Sequence, residues 1–202
     1  ISKCLGFNII TFKIIIIYLK VLGLKVDFGA KFSNLPLLDI KGNARDIVIG
    51  KVVILGEIDI RNRESGKIIF ENGCKIEAGC RFVSARNGTI KIAEGTVITT
   101  GAIINGGADV MIGQNCIFGP RVIINANEHV FKKNQLIKDQ GFIHKRISVG
   151  NDCWFGANVA INKGVTISSG SVIGAYSLVT KDTEPNSINF GIPTKKIGYR
   201  VD

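Results

Sequence analysis

The stretch that decides the fold is "VGNDCWFGANVAINKGVTISSGSVIGAYSLVT", residues 149–180. Large apolar residues fall at Val149, Phe155, Ile161, Ile167, Ile173 and Val179, always six positions apart. An α-helix repeats its buried face every 3.6 residues and a strand every 2, so neither alone explains the interval. Working upstream, the same spacing joins Ile112, Phe118 and Ile124; Ile92, Ile98 and Ile104; and Phe70, Ile76 and Phe82. Ile49 and Leu55 form an earlier, weaker pair. Four residues after most of these positions the side chain is small or β-branched: Cys74, Cys80, Thr96, Ala102, Cys116, Val122, Cys153, Val159, Val165, Ser171, Ser177 and Thr183. The pattern relaxes at the block ends, at Arg86, Ala108 and Glu128.

Composition is consistent with one ordered domain. The chain has 202 residues, of which 46 % are hydrophobic, with 24 Gly and only 4 Pro, which suits many tight turns. Lys and Arg number 26 against 16 acidic residues, a formal charge of +10. Such a surface attracts anions, though no aromatic stacking module or nucleic-acid motif accompanies the charge. Five cysteines without a C-x-x-C pair argue against a disulfide framework or a zinc site, and a reducing, cytoplasmic compartment fits them best. Four of the five occupy small-residue corners, where a thiol serves as a compact buried hydrophobe.

The repeat resembles that of the hexapeptide-repeat acyltransferases, and hexapeptide repeats are a signature of parallel β-helices. That resemblance implies an all-β fold, a left-handed parallel β-helix built as a triangular prism of hexapeptide repeats. One hexad makes one flat side, three make a coil, and the large residue points inward. The left hand comes from the resemblance, since general crossover rules favour the right. The blocks predict coils over 70–87, 92–109, 112–129, 149–166 and 167–184, with bulged corners near 88–91 and 110–111. The expected division is a cap segment over 1–45, the β-helix over 46–184 and a tail over 185–202. The cap segment "CLGFNIITFKIIIIYLKVLGL" is interrupted by Lys13 and Lys20, and its unbroken run from Ile14 to Leu19 is too short to span a bilayer. It reads either as an apolar cap on the end of the prism or as a basic interfacial segment resting on a membrane, which would place the protein at the periphery of the inner membrane.

One gap in the register is large. After Ile124 the next core residue is due at position 130, yet the period resumes at Val149, so a loop over about residues 128–148 leaves the prism. The excursion opens "NANEHVFKKNQLI" and closes "GFIHKRISVG", and it holds both histidines of the chain, His129 and His144. His129 sits where the excursion leaves, followed by the coil "VGNDCWFGAN" with Trp154. The resemblance to sugar O-acetyltransferases places a catalytic His at this point and an oxyanion-binding backbone N–H near Trp154. Histidine is also the natural general base near neutral pH. His144 belongs to the base of the loop, with its role open. Asn125, Asn127 and Glu128 stand beside the base and are candidates to orient it or to bind an acceptor. Thr99 is the position matching an acceptor-binding Asn of some relatives.

The ending "IGAYSLVTKDTEPNSINFGIPTKKIGYR" resembles the family's last coils. Carried over, the resemblance assigns acetyl-CoA to Ala157, Ala175, Thr180, Lys181 and Lys195, with Lys196 or Arg200 supplying a further cation. It implies no metal, and a homotrimer with sites between subunits. The acceptor implied is a hydroxyl of a bacterial surface glycan, a capsular polysaccharide such as polysialic acid. An amino-sugar-nucleotide N-acetyltransferase, a simple-sugar O-acetyltransferase and a non-catalytic anion-binding scaffold are the alternatives. A zinc carbonic anhydrase on the same prism would need three His ligands, and the chain has two.

Overall fold

The computed structural model describes residues 9–201, with side chains from residue 11 onward. Cys4 lies outside the described residues. Three parallel sheets form the flat faces of a prism, and successive strands along the chain pass from face to face. The first face runs from Lys25–Val26 to Thr166–Ile167, the second from Lys31–Phe32 to Val172–Ile173, and the third from Leu37–Ile40 to Leu178–Val179. The architecture is that of the left-handed parallel β-helix.

The six-residue period is the column of inward side chains. Phe70, Ile92, Ile112, Val149 and Ile167 stack rung on rung on the first face. Ile76, Ile98, Phe118, Phe155 and Ile173 do so on the second. Phe82, Ile104, Ile124, Ile161 and Val179 complete the third. Every one of these residues is buried. The rings of Phe118 and Phe155, on successive rungs of the second face, stack with centroids 4.5 Å apart. The small residues that follow are buried where the chain turns, and the four described cysteines are among them.

The stack begins before residue 46. Val26 pairs with Ile49, Phe32 with Ile54 and Leu38 with Ile60, so residues 25–40 are a full first coil. Leu55 is half-buried and points outward, and Ile54 takes the interior place. The slip has a local cause. The N–H of Val52 donates to the carbonyl of Gly50 at 2.9 Å, a three-residue turn that removes one position from that corner.

The corner between the third and first faces takes nearly all the irregularity. It is elaborated in each of the lower coils, and its polar groups are satisfied internally. Asn62 is fully buried, accepts from Gly42 N–H at 2.9 Å and donates to the carbonyls of Asn43 and Gly66 at 3.0 and 2.9 Å. One coil on, Ser84 Oγ donates to the Gly88 carbonyl at 2.7 Å. The long excursion leaves from this same corner.

A helix, α1 (Ile9–Val21), covers the start of the prism. Its run of β-branched isoleucines is a poor intrinsic helix former, so packing must hold it. Ile15, Ile16 and Leu19 are buried against the first coil. Gly23, at φ +98°, ends it: Leu24 N–H donates to the Leu19 carbonyl at 3.1 Å and Gly23 N–H to that of Lys20 at 2.9 Å, a Schellman arrangement. At the other end Ser187–Gly191 adds an eighth rung to the second face and pairs antiparallel with Thr194–Tyr199.

Candidate active site

The excursion begins and ends as a two-stranded hairpin. Asn127–His129 pairs antiparallel with Phe142–His144, Asn127 opposite His144 and His129 opposite Phe142. The hairpin overhangs the edge of the third face and encloses an open cleft of about 560 Å³.

Three asparagines floor one side of this cleft on successive rungs. Asn105 pairs with Asn125 and Asn125 with Asn162, each one residue past an inward isoleucine and therefore pointing outward. His129 is exposed and lies against Phe142 with ring centroids 4.1 Å apart. Glu128 and Lys163 form an ion pair at the rim. The cleft thus offers an imidazole at its mouth, a wall of amide groups able to donate or accept, and an aromatic lid residue in Phe142.

His144 faces away from the cleft floor and anchors the hairpin. Its Nδ1 lies 2.8 Å from Asn127 Oδ1. The N–H of Gly107 donates to the same oxygen at 3.0 Å, which identifies that atom as the amide oxygen and requires Nδ1 of His144 to donate. The Asn127 amide nitrogen is thereby turned to the other side. Burial and the nearby Arg86 hold the His144 pKa below the ordinary histidine value, with Glu64 opposing.

Not every expected residue comes to this cleft. Asn125, Asn127, Glu128 and His129 line it. Thr99 does not: it sits at the corner between second and third faces, where its hydroxyl donates to the Phe118 carbonyl at 2.8 Å. Asn105 stands on the rung before Asn125 instead, a place found by pairing coils rather than by motif spacing. Trp154 projects from the second face, 49 % exposed, and its N–H already donates to the Ser171 carbonyl at 2.9 Å. That N–H is therefore not free for an oxyanion. The N–H groups of Gly156 and Asn158 are likewise spent, on the carbonyls of Ile173 and Pro120 at 2.8 Å each.

The residues assigned to acetyl-CoA fall in two columns. Ala157 and Ala175 are stacked at the corner between second and third faces, where Tyr176 N–H donates to the Ala157 carbonyl at 2.8 Å. Val179 pairs with Ile161, which sets Thr180 and Lys181 one rung beyond Asn162 and Lys163 of the cleft. Lys195 is exposed on the last strand. Lys196 is not a free cation: its Nζ lies 2.7 and 2.8 Å from the Glu184 carboxylate and 2.6 Å from the Tyr199 hydroxyl. Glu184 holds the Lys196 pKa above the ordinary lysine value, and Lys196 holds that of Glu184 down. Arg200 is also paired, 2.7 Å from Asp152.

Comparison with known proteins agrees with the fold. Residues 146–181 match the family model of the bacterial transferase hexapeptide (six repeats). The chain is 41 % identical over 88 residues to the galactoside O-acetyltransferase of Escherichia coli K12, a stretch that is 44 % of this chain and 43 % of that enzyme. The chain thus spans less than half the length of this curated relative. Among solved structures, the Bacillus cereus N-acyltransferase AntD, crystallised with dTDP-4-amino-4,6-dideoxyglucose and coenzyme A, superposes with TM-score 0.62 at 20 % identity, covering 92 % of this chain and 89 % of that one. The polySia-specific acetyltransferase NeuO superposes with TM-score 0.51 at 25 % identity, covering 81 % of each.

Proposed function

We propose that this chain, which carries the hexapeptide repeat of the bacterial transferases over residues 146–181, is an acetyl-CoA-dependent O-acetyltransferase acting on a bacterial surface glycan. The observation that carries the reading is the position of His129, at the mouth of a polar cleft beside the asparagine rungs. In this mechanism His129 takes the proton from an acceptor hydroxyl, and the oxygen attacks the thioester carbonyl. The C–S bond breaks, and the thiolate of coenzyme A leaves with the proton returned by the imidazolium. An N–H near the second-face corner holds the oxyanion. With those of Trp154, Gly156 and Asn158 taken, the donor is Ala157, whose N–H makes no such bond among the described residues. The amides of Asn105, Asn125 and Asn127 orient the sugar.

An acidic capsular polymer such as polysialic acid fits the +10 charge and the likeness to NeuO. The acting unit is a homotrimer with the cleft closed by a neighbour: Ile117, Trp154 and Ile123 leave an apolar strip on adjoining faces, 51, 49 and 43 % exposed. The four cysteines among the described residues are buried and free of disulfides, which suits a reducing cytoplasm.

The test is release of coenzyme A from acetyl-CoA by purified protein offered polysialic acid, neutral galactosides and amino-sugar nucleotides in parallel. His129→Ala should lose on the order of 10²–10⁴-fold in rate while keeping its circular dichroism. Full rate in that variant would remove His129 as base. Turnover of the amino-sugar nucleotide alone would replace O- by N-acetylation, and silence with every acceptor would leave an anion-binding scaffold.

A further inference from the structure

Helix α1 has two apolar sides, and the prism uses only one. Ile15, Ile16 and Leu19 are 8, 1 and 0 % exposed. On the opposite face, at the i, i+3, i+4, i+7 spacing, Ile14, Ile17, Tyr18 and Val21 are 61, 55, 47 and 80 % exposed. Phe28, just beyond the helix, is 71 % exposed and has Lys20 Nζ 4.3 Å from its ring centroid. Capping a prism needs one apolar stripe, so the second is unexplained by the fold.

What surrounds the second stripe narrows its partner. Lys13 and Lys20, seven positions apart, lie along the boundary between the buried and exposed faces. Lys25 and Lys31 point outward from the first rungs at the same end. Asp27 is the acidic neighbour, and its carboxylate already accepts from Gly29 N–H at 2.7 Å. Lys20 Nζ donates to the Val26 carbonyl at 2.8 Å, so its charge stays at the edge of the stripe beside Phe28. The exposed ammonium groups of Lys13, Lys25 and Lys31 are on long stems that can reach outward, and an apolar helical face edged by them is complementary to a lipid surface with anionic headgroups. Over its described residues α1 is not long and apolar enough to cross a membrane, nor is any other described helix. Its 13 residues reach only about 20 Å, against roughly 30 Å of hydrocarbon.

We infer that the exposed face of α1, with Phe28 and its flanking lysines, docks this protein on an anionic bilayer surface, the prism standing end-on. The asparagine rungs lie three to five coils along the prism from its first, so rungs about 4.8 Å apart place the cleft roughly 15–25 Å beyond the first coil, with the thickness of α1 added between that coil and the lipid.

Co-sedimentation of the full chain with vesicles tests this. Vesicles with about a third phosphatidylglycerol should pull down the protein, and pure phosphatidylcholine vesicles should pull down much less. Salt of about 0.5 M should weaken the binding by screening. The triple variant Ile14→Ser, Ile17→Ser, Val21→Ser should bind about tenfold or more weakly with an unchanged melting curve, since these side chains are exposed. Lys13→Gln with Lys25→Gln should lose the preference for phosphatidylglycerol. Absence of lipid-dependent sedimentation would overturn the inference, as would undiminished binding by the triple variant. An oligomer that the triple variant dissociates, without any vesicle binding, would give the face to a second copy instead. Acetyl transfer is not read in this experiment, so its outcome is independent of the proposed chemistry.

Discussion

The Nδ1 atom of His144 lies 2.8 Å from Oδ1 of Asn127, at the point where the outgoing and returning strands of the excursion meet. The bond fixes which way the Asn127 amide faces, and so what it presents to the cleft. His144→Ala should lower kcat/KM for acetyl transfer about 2–10-fold, the worth of one hydrogen bond, mainly through KM for the acceptor. His144→Gln keeps a donor in reach and should recover most of it. If Ala and Gln behave alike, the bond does not position Asn127. The same residue gives a pH signature. Its folded pKa is lowered by burial first and Arg86 second. The unfolded chain therefore binds the proton more readily. The associated stability is present above the unfolded value, about 6.5, and is lost as pH falls through it toward the lowered folded value. Denaturant midpoints at about pH 7.5 and 5.5 should differ less in His144→Gln than in the parent.

Gly107 is the backbone side of that junction. A Cβ built there would lie 2.3 Å from Asn127 Oδ1 and 2.4 Å from His144 Nδ1. Neither atom can yield without breaking the bond between them. Gly107→Ala should cost about 1–3 kcal/mol by chemical denaturation and reproduce the acceptor KM defect of His144→Ala. Gly198→Ala, where nothing lies within 4 Å, is the control and should be neutral.

The tail lysines should separate by their partners. Lys181 and Lys195 have no carboxylate within ion-pair distance among the described residues, whereas Lys196 sits on Glu184. Lys181→Ala and Lys195→Ala should each raise the KM for acetyl-CoA about 3–10-fold, and Lys196→Ala should change it less than about twofold. Glu184→Gln should lower that KM by releasing the Lys196 charge. A larger effect from Lys196 than from Lys195 would reverse the assignment.

These contrasts show where a one-dimensional reading succeeds. In the upper coils, from Val149 on, each side of the prism takes one hexad, so position in the chain converts directly into position on the prism. In the lower coils the corner after the third face holds additional residues around Asn62 and Ser84. The period breaks there, which is why the coil at residues 25–40 reads as a cap. Asn125, Asn127 and His129 lie within one five-residue stretch of the chain and are visible at once. Asn105 and Asn162 join them only through rung pairing, the second across the whole excursion. The pairing of Lys196 with Glu184 depends on the antiparallel return of the last strand, and no local pattern encodes it.

The corner cysteines offer a test of how tightly the prism is closed. Cys74 is buried with its thiol 3.2 Å from the Ala93 carbonyl, and Cys80 is buried with its thiol 3.2 Å from that of Thr99. Burial pushes the Cys74 pKa up to about 11 and that of Cys80 in the same direction. Near pH 8 the thiolate fraction at Cys74 is then about one part in a thousand, against roughly a quarter for a free cysteine. Cys116 and Cys153 are buried too, with thiols 3.1 and 3.3 Å from the carbonyls of Gly150 and Ser168. In a Cys4→Ser background, a colorimetric disulfide reagent should label none of these four in the native protein and all four in denaturant. Labelling should follow unfolding, because a thiol at a corner becomes accessible only when the coil beside it opens. Fast native labelling of Cys116 or Cys153 would mean that the coils bordering the excursion open independently of the rest. In that case the cleft beneath the hairpin would be a fluctuating site and not the preorganised one that the stacked asparagines require.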